Sequence, residues 1–232
     1  MSIFLEQDFK DVKHELKTRF NYIPNNYQKK LLKRLHKSIF CICNLEYELC
    51  KTEKERPDFL HELHSDFIQL LVLVPLGFKK AFSLFLRAGI ENSLRHIYYK
   101  DHPIEFTLLN KSTENRLAIK ELFNYLKKHP FTFGTKNFEK IYTFIYDQYD
   151  KQSRVVHGTS KDYLQLNKTI KEIKISDKEL TDIINDVEEI ANYLMTLLIL
   201  FHKKQFDKIH IDHKNLILSC LSNQNKRIIH GI

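Results

Sequence analysis

The chain is poor in glycine and in proline, with five of each among 232 residues. Few turn-forming residues mean few turns, which argues against a many-stranded sheet and for long helices. Its longest apolar runs, around Ile68–Phe78 and Tyr193–Phe201, fall short of the roughly 20 residues a membrane-crossing helix needs. The opening MSIFLEQDFKDVKHEL alternates acids and bases and lacks the apolar centre of a secretory signal. Cysteine is scarce too: Cys41, Cys43, Cys50 and Cys220 offer one C-x-C spacing and no second pair at zinc-finger distance. Two of the four sit in the apolar run SIFCIC, where small buried thiols are common. No glycine-rich phosphate loop, GxSxG elbow or HExxH motif occurs. These absences lead us to expect a soluble cytoplasmic protein with no membrane association, no bound cofactor and no metal. A chain of this length buries a core without a disulfide or metal staple.

What is present is ordinary for a globular protein, 43% hydrophobic and 28% charged residues. The formal net charge is +8, from 37 Lys and Arg against 29 Asp and Glu. That balance is compatible with nucleic acid or an acidic surface as partner, although the lysines are spread along the chain. One denser basic run, KKLLKRLHK at 29–37, could meet phosphates or form a solvated helix face.

Hydrophobic periodicity predicts an all-α chain. Helices are expected over Ile3–Phe20, about Tyr27–Cys50, 57 to 74, and 76 to 100 after a break at Pro75 and Gly77. Residues 101–106 read as a turn or irregular link, followed by helices over 113–128 and 137–156, the latter stopped by Gly158. Segment 159–175 is a short strand or an extended loop. Ser176 and Glu179 form a capping box that starts a helix reaching Phe201. A last helix over 214–222 precedes a tail, NQNKRIIHGI. The organisation expected is a helical extension over 1–56, a helical core over 57–206, and a C-terminal helix and tail over 207–232, joined as one unit.

Two stretches carry candidate chemistry. In LRAGIENSLRHIYY (86–99), Arg87, Glu91 and Arg95 recur every four residues on one helix face. In YDQYDKQSRVVHGTS (146–160), a polar helix ends at His157-Gly158, with Arg154 three residues before the histidine. Imidazole exchanges protons near neutrality, and arginine holds phosphate and stabilises developing charge. RNA supplies its own nucleophile, the ribose 2′-OH, so such a set could cleave it without metal. Each group also has a plainer reading. His157 could cap a helix C-terminus, and the Arg-Glu-Arg face could be a structural ladder. Tyr146 and Tyr149 read as half-buried packing with the hydroxyl at the surface.

KQSRVVHG, with the earlier polar helix LRAGIENSLRHIYY, resembles the HEPN superfamily over about residues 60–200. The resemblance implies a multi-helix bundle with long central helices and helical N- and C-terminal extensions. It also implies metal-independent RNA cleavage in stress or anti-phage defence, a homodimer whose two motifs share a cleft, and possible antitoxin or defence-complex partners. His157 is then the acid–base residue, with Arg154 and Arg87 or Arg95 on the phosphate and Glu91 orienting them. The family's motif is R-x4–6-H, whereas the spacing here is R-x2-H. The phosphate role therefore falls to Lys151 or Arg154, or to Arg87 and Arg95, or the module is silent and binds RNA or a partner protein. A more remote reading is a metal-dependent hydrolase built on His61 and His64, or on His210, Asp212 and His213.

Overall fold

The computed structural model describes residues 3–52, 58–109, 111, 117–132, 136–159, 161 and 166–230. Among these residues the fold is all-α, with eleven α-helices and no strand. In chain order they are α1 (Ile3–Phe20), α2 (Asn26–Thr52), α3 (Asp58–Leu73), α4 (Lys79–Asp101), α5 (Pro103–Leu109) and α6 (Ile119–Lys128). Then follow α7 (Lys136–His157), α8 (Asp177–Phe201), α9 (Lys203–Phe206), α10 (Ile211–Ser219) and α11 (Asn223–His230). No helix among the described residues is long and apolar enough to cross a membrane.

The architecture is a multi-helix bundle around α4 and α8. On α4, buried positions run from Phe82 to Tyr99 around most of its circumference, because α3, α6, α7 and α8 all pack against it. What remains open is a narrow stripe through Leu84, Arg87, Glu91 and Arg95 that lines a cleft. Along that stripe the half-buried Arg87 and Arg95 both pair with Glu91. Gly89 marks the tightest approach to α3: a Cβ there would stand 2.8 Å from Cε2 of Phe67. The buried residues of α1, α2, α10 and α11 belong to the same hydrophobic core as those of α3–α8.

Three local expectations are revised. The link at 101–106 is largely helical, as α5, because Pro103 occupies the first helical position, where its missing N–H costs nothing. Of the two readings for KTIKEIKIS the loop holds: Ile170–Glu172 form a 3₁₀ turn, and residues 173–176 have no regular structure before α8. The tail is helix rather than coil. The Ser222 hydroxyl accepts from Asn225 N–H at 3.1 Å to open α11, and Ile228 and Ile229 are buried. The last predicted helix also shifts, since α10 begins at Ile211 with His210 as its N-cap.

The capping box is as read: Ser176 Oγ accepts from Glu179 N–H at 3.2 Å, and Glu179 Oε2 from Ser176 N–H at 3.0 Å. Glu179 also takes Lys79 from the start of α4. Lys79 and then Ser176 hold its carboxyl down to about 2. Between α3 and α4, Gly77 has φ +78, and a Cβ there would stand 3.1 Å from the carbonyl carbon of Lys174. The segment before α8 thus crosses directly over the α3–α4 corner.

The far ends of α4 and α8 meet in a buried polar chain. Lys100 Nζ donates to Phe201 O at 3.1 Å and to His202 Nδ1 at 3.0 Å. His202 Nε2 lies 2.9 Å from Nε2 of His96, with both imidazoles almost wholly buried.

Candidate functional site

Arg87, Glu91 and Arg95 stand one turn apart on α4, and Glu91 is their hub. Its Oε1 accepts from Arg87 Nε at 3.0 Å and its Oε2 from Arg95 Nη2 at 2.9 Å. Tyr149 of α7 donates its hydroxyl to the same Oε1 at 3.3 Å. The hydroxyl therefore points inward instead of to the surface, and burial, then the Glu91 charge, push the phenol up. Tyr146 is exposed.

Arg87 then reaches beyond its own helix. Its Nη1 lies 2.8 Å from Nε2 of His157, 70 residues away in sequence. Its guanidinium carbon lies 5.3 Å from the Tyr149 ring centroid. Arginine offers no acceptor, so Nε2 accepts and the imidazole carries its proton on Nδ1. The polar faces of α4 and α7 meet through this contact.

The end of α7 explains why the histidine sits there. Gly158 has φ 59, and Thr159 N–H donates to Arg154 O at 3.3 Å. This is the left-handed helix stop that glycine permits, and it leaves His157 exposed on the final turn. Arg154 pairs with Asp150 at 2.5 Å, one turn earlier on α7, while Lys151 reaches Asp186 of α8 at 2.6 Å. Of the cations considered for a phosphate, Arg87 is the one whose contact with the histidine is defined.

A cleft of about 570 Å³ opens between α3 and α4, lined by Glu62, Asp66, Arg87, Glu91, Asn92 and Arg95 among others. Asp66 and Asn92 were not picked out from sequence, where a lone aspartate in an apolar helix reads as surface. Both are buried, and Asn92 Nδ2 donates to Asp66 Oδ2 at 2.9 Å. Arg95 Nη1 reaches Asn92 Oδ1 at 3.4 Å. A continuous polar path thus runs Asp66–Asn92–Arg95–Glu91–Arg87–His157, from α3 through α4 to α7.

Burial pushes the Asp66 carboxyl up to about 6, with Glu62 and Glu91 adding to the effect and the Asn92 hydrogen bond opposing it. A carboxyl that holds its proton more tightly folded than unfolded stabilises the fold at low pH. That stability is complete below the ordinary value near 3.8 and is lost as pH rises through about 6. Asp66→Asn keeps an acceptor for Asn92 and abolishes the titration. We expect it to raise stability at pH 7.5 by about 2 kcal/mol and to change little at pH 4. Urea midpoints of both chains across that range measure it; a constant difference at all pH values would contradict it.

The histidine clusters resolve differently from each other. His210 caps α10 by accepting from Asp212 N–H at 3.4 Å, and His213 turns to α2, reaching Asn44 Oδ1 at 3.1 Å and Glu48 Oε1 at 3.2 Å. By contrast, His61 and His64 converge on one buried carboxylate, Glu46, with Nδ1 distances of 2.6 and 2.7 Å. The basic run on α2 is largely used in stitching helices together. Lys33 pairs with Glu6, Arg34 with Asn185 and Glu188, and Lys37 with the Ser219 carbonyl.

Comparison with protein-family models, with curated proteins and with solved structures gives no match for this chain.

Proposed function

We propose that the chain is a HEPN-like effector of a prokaryotic stress or anti-phage defence system that cleaves RNA by acid–base chemistry without metal in the reaction. The observation that carries this reading is the contact between His157 and Arg87, which lines the cleft together with Arg95. A backbone phosphate entering there draws the Arg87 N–H groups onto its oxygens and leaves Nε2 of His157 free. Nε2 then takes the 2′-OH proton as the 2′-oxygen attacks phosphorus, and the P–O5′ bond breaks. The proton passes from the imidazolium to the leaving 5′-oxygen, so the products are a 2′,3′-cyclic phosphate and a 5′-hydroxyl. Glu91 holds both guanidiniums at a fixed spacing. A homodimer would add a second such pair to the cleft, as the resemblance implies.

One observation favours a second reading, a silent module that binds RNA or a partner protein. Arg87 and Arg95 are both engaged by Glu91, and Lys151 and Arg154 have acidic partners of their own. The discriminating experiment incubates purified chain with total cellular RNA in buffer without added divalent cations. Fragments ending in 2′,3′-cyclic phosphate, produced by the unmodified chain and not by His157→Ala, are expected. Equal cleavage by both chains removes His157 from the mechanism. No cleavage by a folded chain that still shifts RNA in a gel favours the silent module.

A further inference from the structure

Glu46 is the one carboxylate in the described residues on which two imidazoles and a thiol converge. It lies on α2 with its side chain only 3% exposed. Cys50, one turn further along α2, donates its thiol to Oε1 at 3.1 Å. His61 Nδ1 meets the same Oε1, and His64 Nδ1 meets Oε2. No lysine or arginine among the described residues pairs with Glu46. A buried carboxylate whose neighbours are imidazole and thiol is a set of ligands, one oxygen, one sulfur and nitrogens, held together by protons that a cation can replace.

We propose that Glu46, Cys50 and His61 bind a divalent cation of the zinc class, with His64 orienting the carboxylate through its other oxygen. The ligand atoms of the three lie within 4.8 Å of one another. In a zinc site the metal–ligand bonds are about 2.0 Å to nitrogen or oxygen and about 2.3 Å to sulfur, so small side-chain rotations close the set. The spacing suits the helices: Glu46 and Cys50 are i, i+4 on α2, and His61 and His64 are i, i+3 on α3, so each pair shares one face. Sulfur with imidazole selects zinc over magnesium or calcium. On binding, the Cys50 thiol releases its proton to solvent and His61 moves its proton from Nδ1 to Nε2. His64 keeps its hydrogen bond to the carboxylate, the usual support of a metal ligand. A water completes the tetrahedron.

The role that follows is a clamp. The cation ties the last turn of α2 to the first turns of α3, and α3 carries Glu62 and Asp66 into the cleft. The clamp is independent of RNA cleavage.

The test begins with chain freed of metal by chelator dialysis and then titrated with zinc against a colorimetric chelator, and separately with cobalt. One equivalent of zinc per chain is expected, with a cobalt spectrum showing a thiolate charge-transfer band. Cys50→Ser and His61→Ala should abolish that band, whereas Cys43→Ser and His210→Ala should leave it. His64→Ala should weaken zinc binding about ten- to a hundredfold without removing the band. Circular dichroism checks that each variant is folded, and the stoichiometry of the unmodified chain stands without any variant. The absence of a stoichiometric site in the unmodified chain overturns the proposal. So does a band that survives in folded Cys50→Ser.

Discussion

Glu91→Ala should lower the stability of the fold by about 3–5 kcal/mol, the range seen when one member of a buried ionic group is removed. The side chains of Arg87 and Arg95 are 21% and 15% exposed, and that of Glu91 is 11% exposed. Deleting the carboxylate leaves two guanidiniums and the Tyr149 hydroxyl with an acceptor missing in a half-buried place that water reaches only from the cleft. Glu91→Gln keeps the shape and one acceptor oxygen but not the charge, so its loss should be smaller. Glu62 lines the same cleft but is exposed, and Glu62→Ala should stay within about 0.5 kcal/mol of the unmodified chain. Denaturant midpoints for the three variants decide the matter. A loss below about 1 kcal/mol for Glu91→Ala would mean that the ladder behaves like a surface ion pair.

The second large effect concerns rate. If His157 is the proton acceptor, His157→Ala should reduce RNA cleavage by about 10²–10⁴-fold, the usual worth of a positioned acid–base group. His157 is exposed, so the substitution should leave the thermal midpoint nearly unchanged. Arg87→Lys separates two roles of the guanidinium. Lysine keeps the positive charge but cannot span Glu91 and a phosphate with a planar fork. Cleavage should fall by about 10²–10³-fold while RNA binding weakens far less, as expected of a group that acts on developing charge. Equal losses of binding and cleavage would make Arg87 a docking residue only. A His157→Ala chain that has lost cohesion as well as activity would point to a structural histidine.

The parts of this site that sequence made legible are those with short-range logic. Arg87, Glu91 and Arg95 share a face by spacing alone, and Gly158 announces both the end of α7 and the position of His157. The capping box at Ser176 and Glu179 is equally local. What sequence concealed depends on which helices touch. Asp66 looks unremarkable until α3 packs on α4 and brings Asn92 to it, 26 residues on. The H-E-L-H spacing at 61–64 put two imidazoles on one face but gave no sign of Glu46, which lies on the preceding helix. Arg154 carried the nearer claim on His157 by sequence, yet the defined partner is Arg87. Its helix runs alongside α7, whereas Arg154 pairs back to Asp150. The helix in the tail is not legible because eight residues after one serine cap are too few to register without the core they cover.

The buried chain of Lys100, His202 and His96 has a fixed direction. An ammonium can only donate, so His202 must receive at Nδ1 and carry its single hydrogen on Nε2. That hydrogen points at Nε2 of His96, which must receive in turn and keep its own hydrogen on Nδ1. One lysine at the end of α4 thereby sets the tautomer of two imidazoles on different helices. A second proton on the pair would set two N–H groups head to head at 2.9 Å inside the core. The junction of α4 and α8 is thus a lock that closes with a single count of hydrogens.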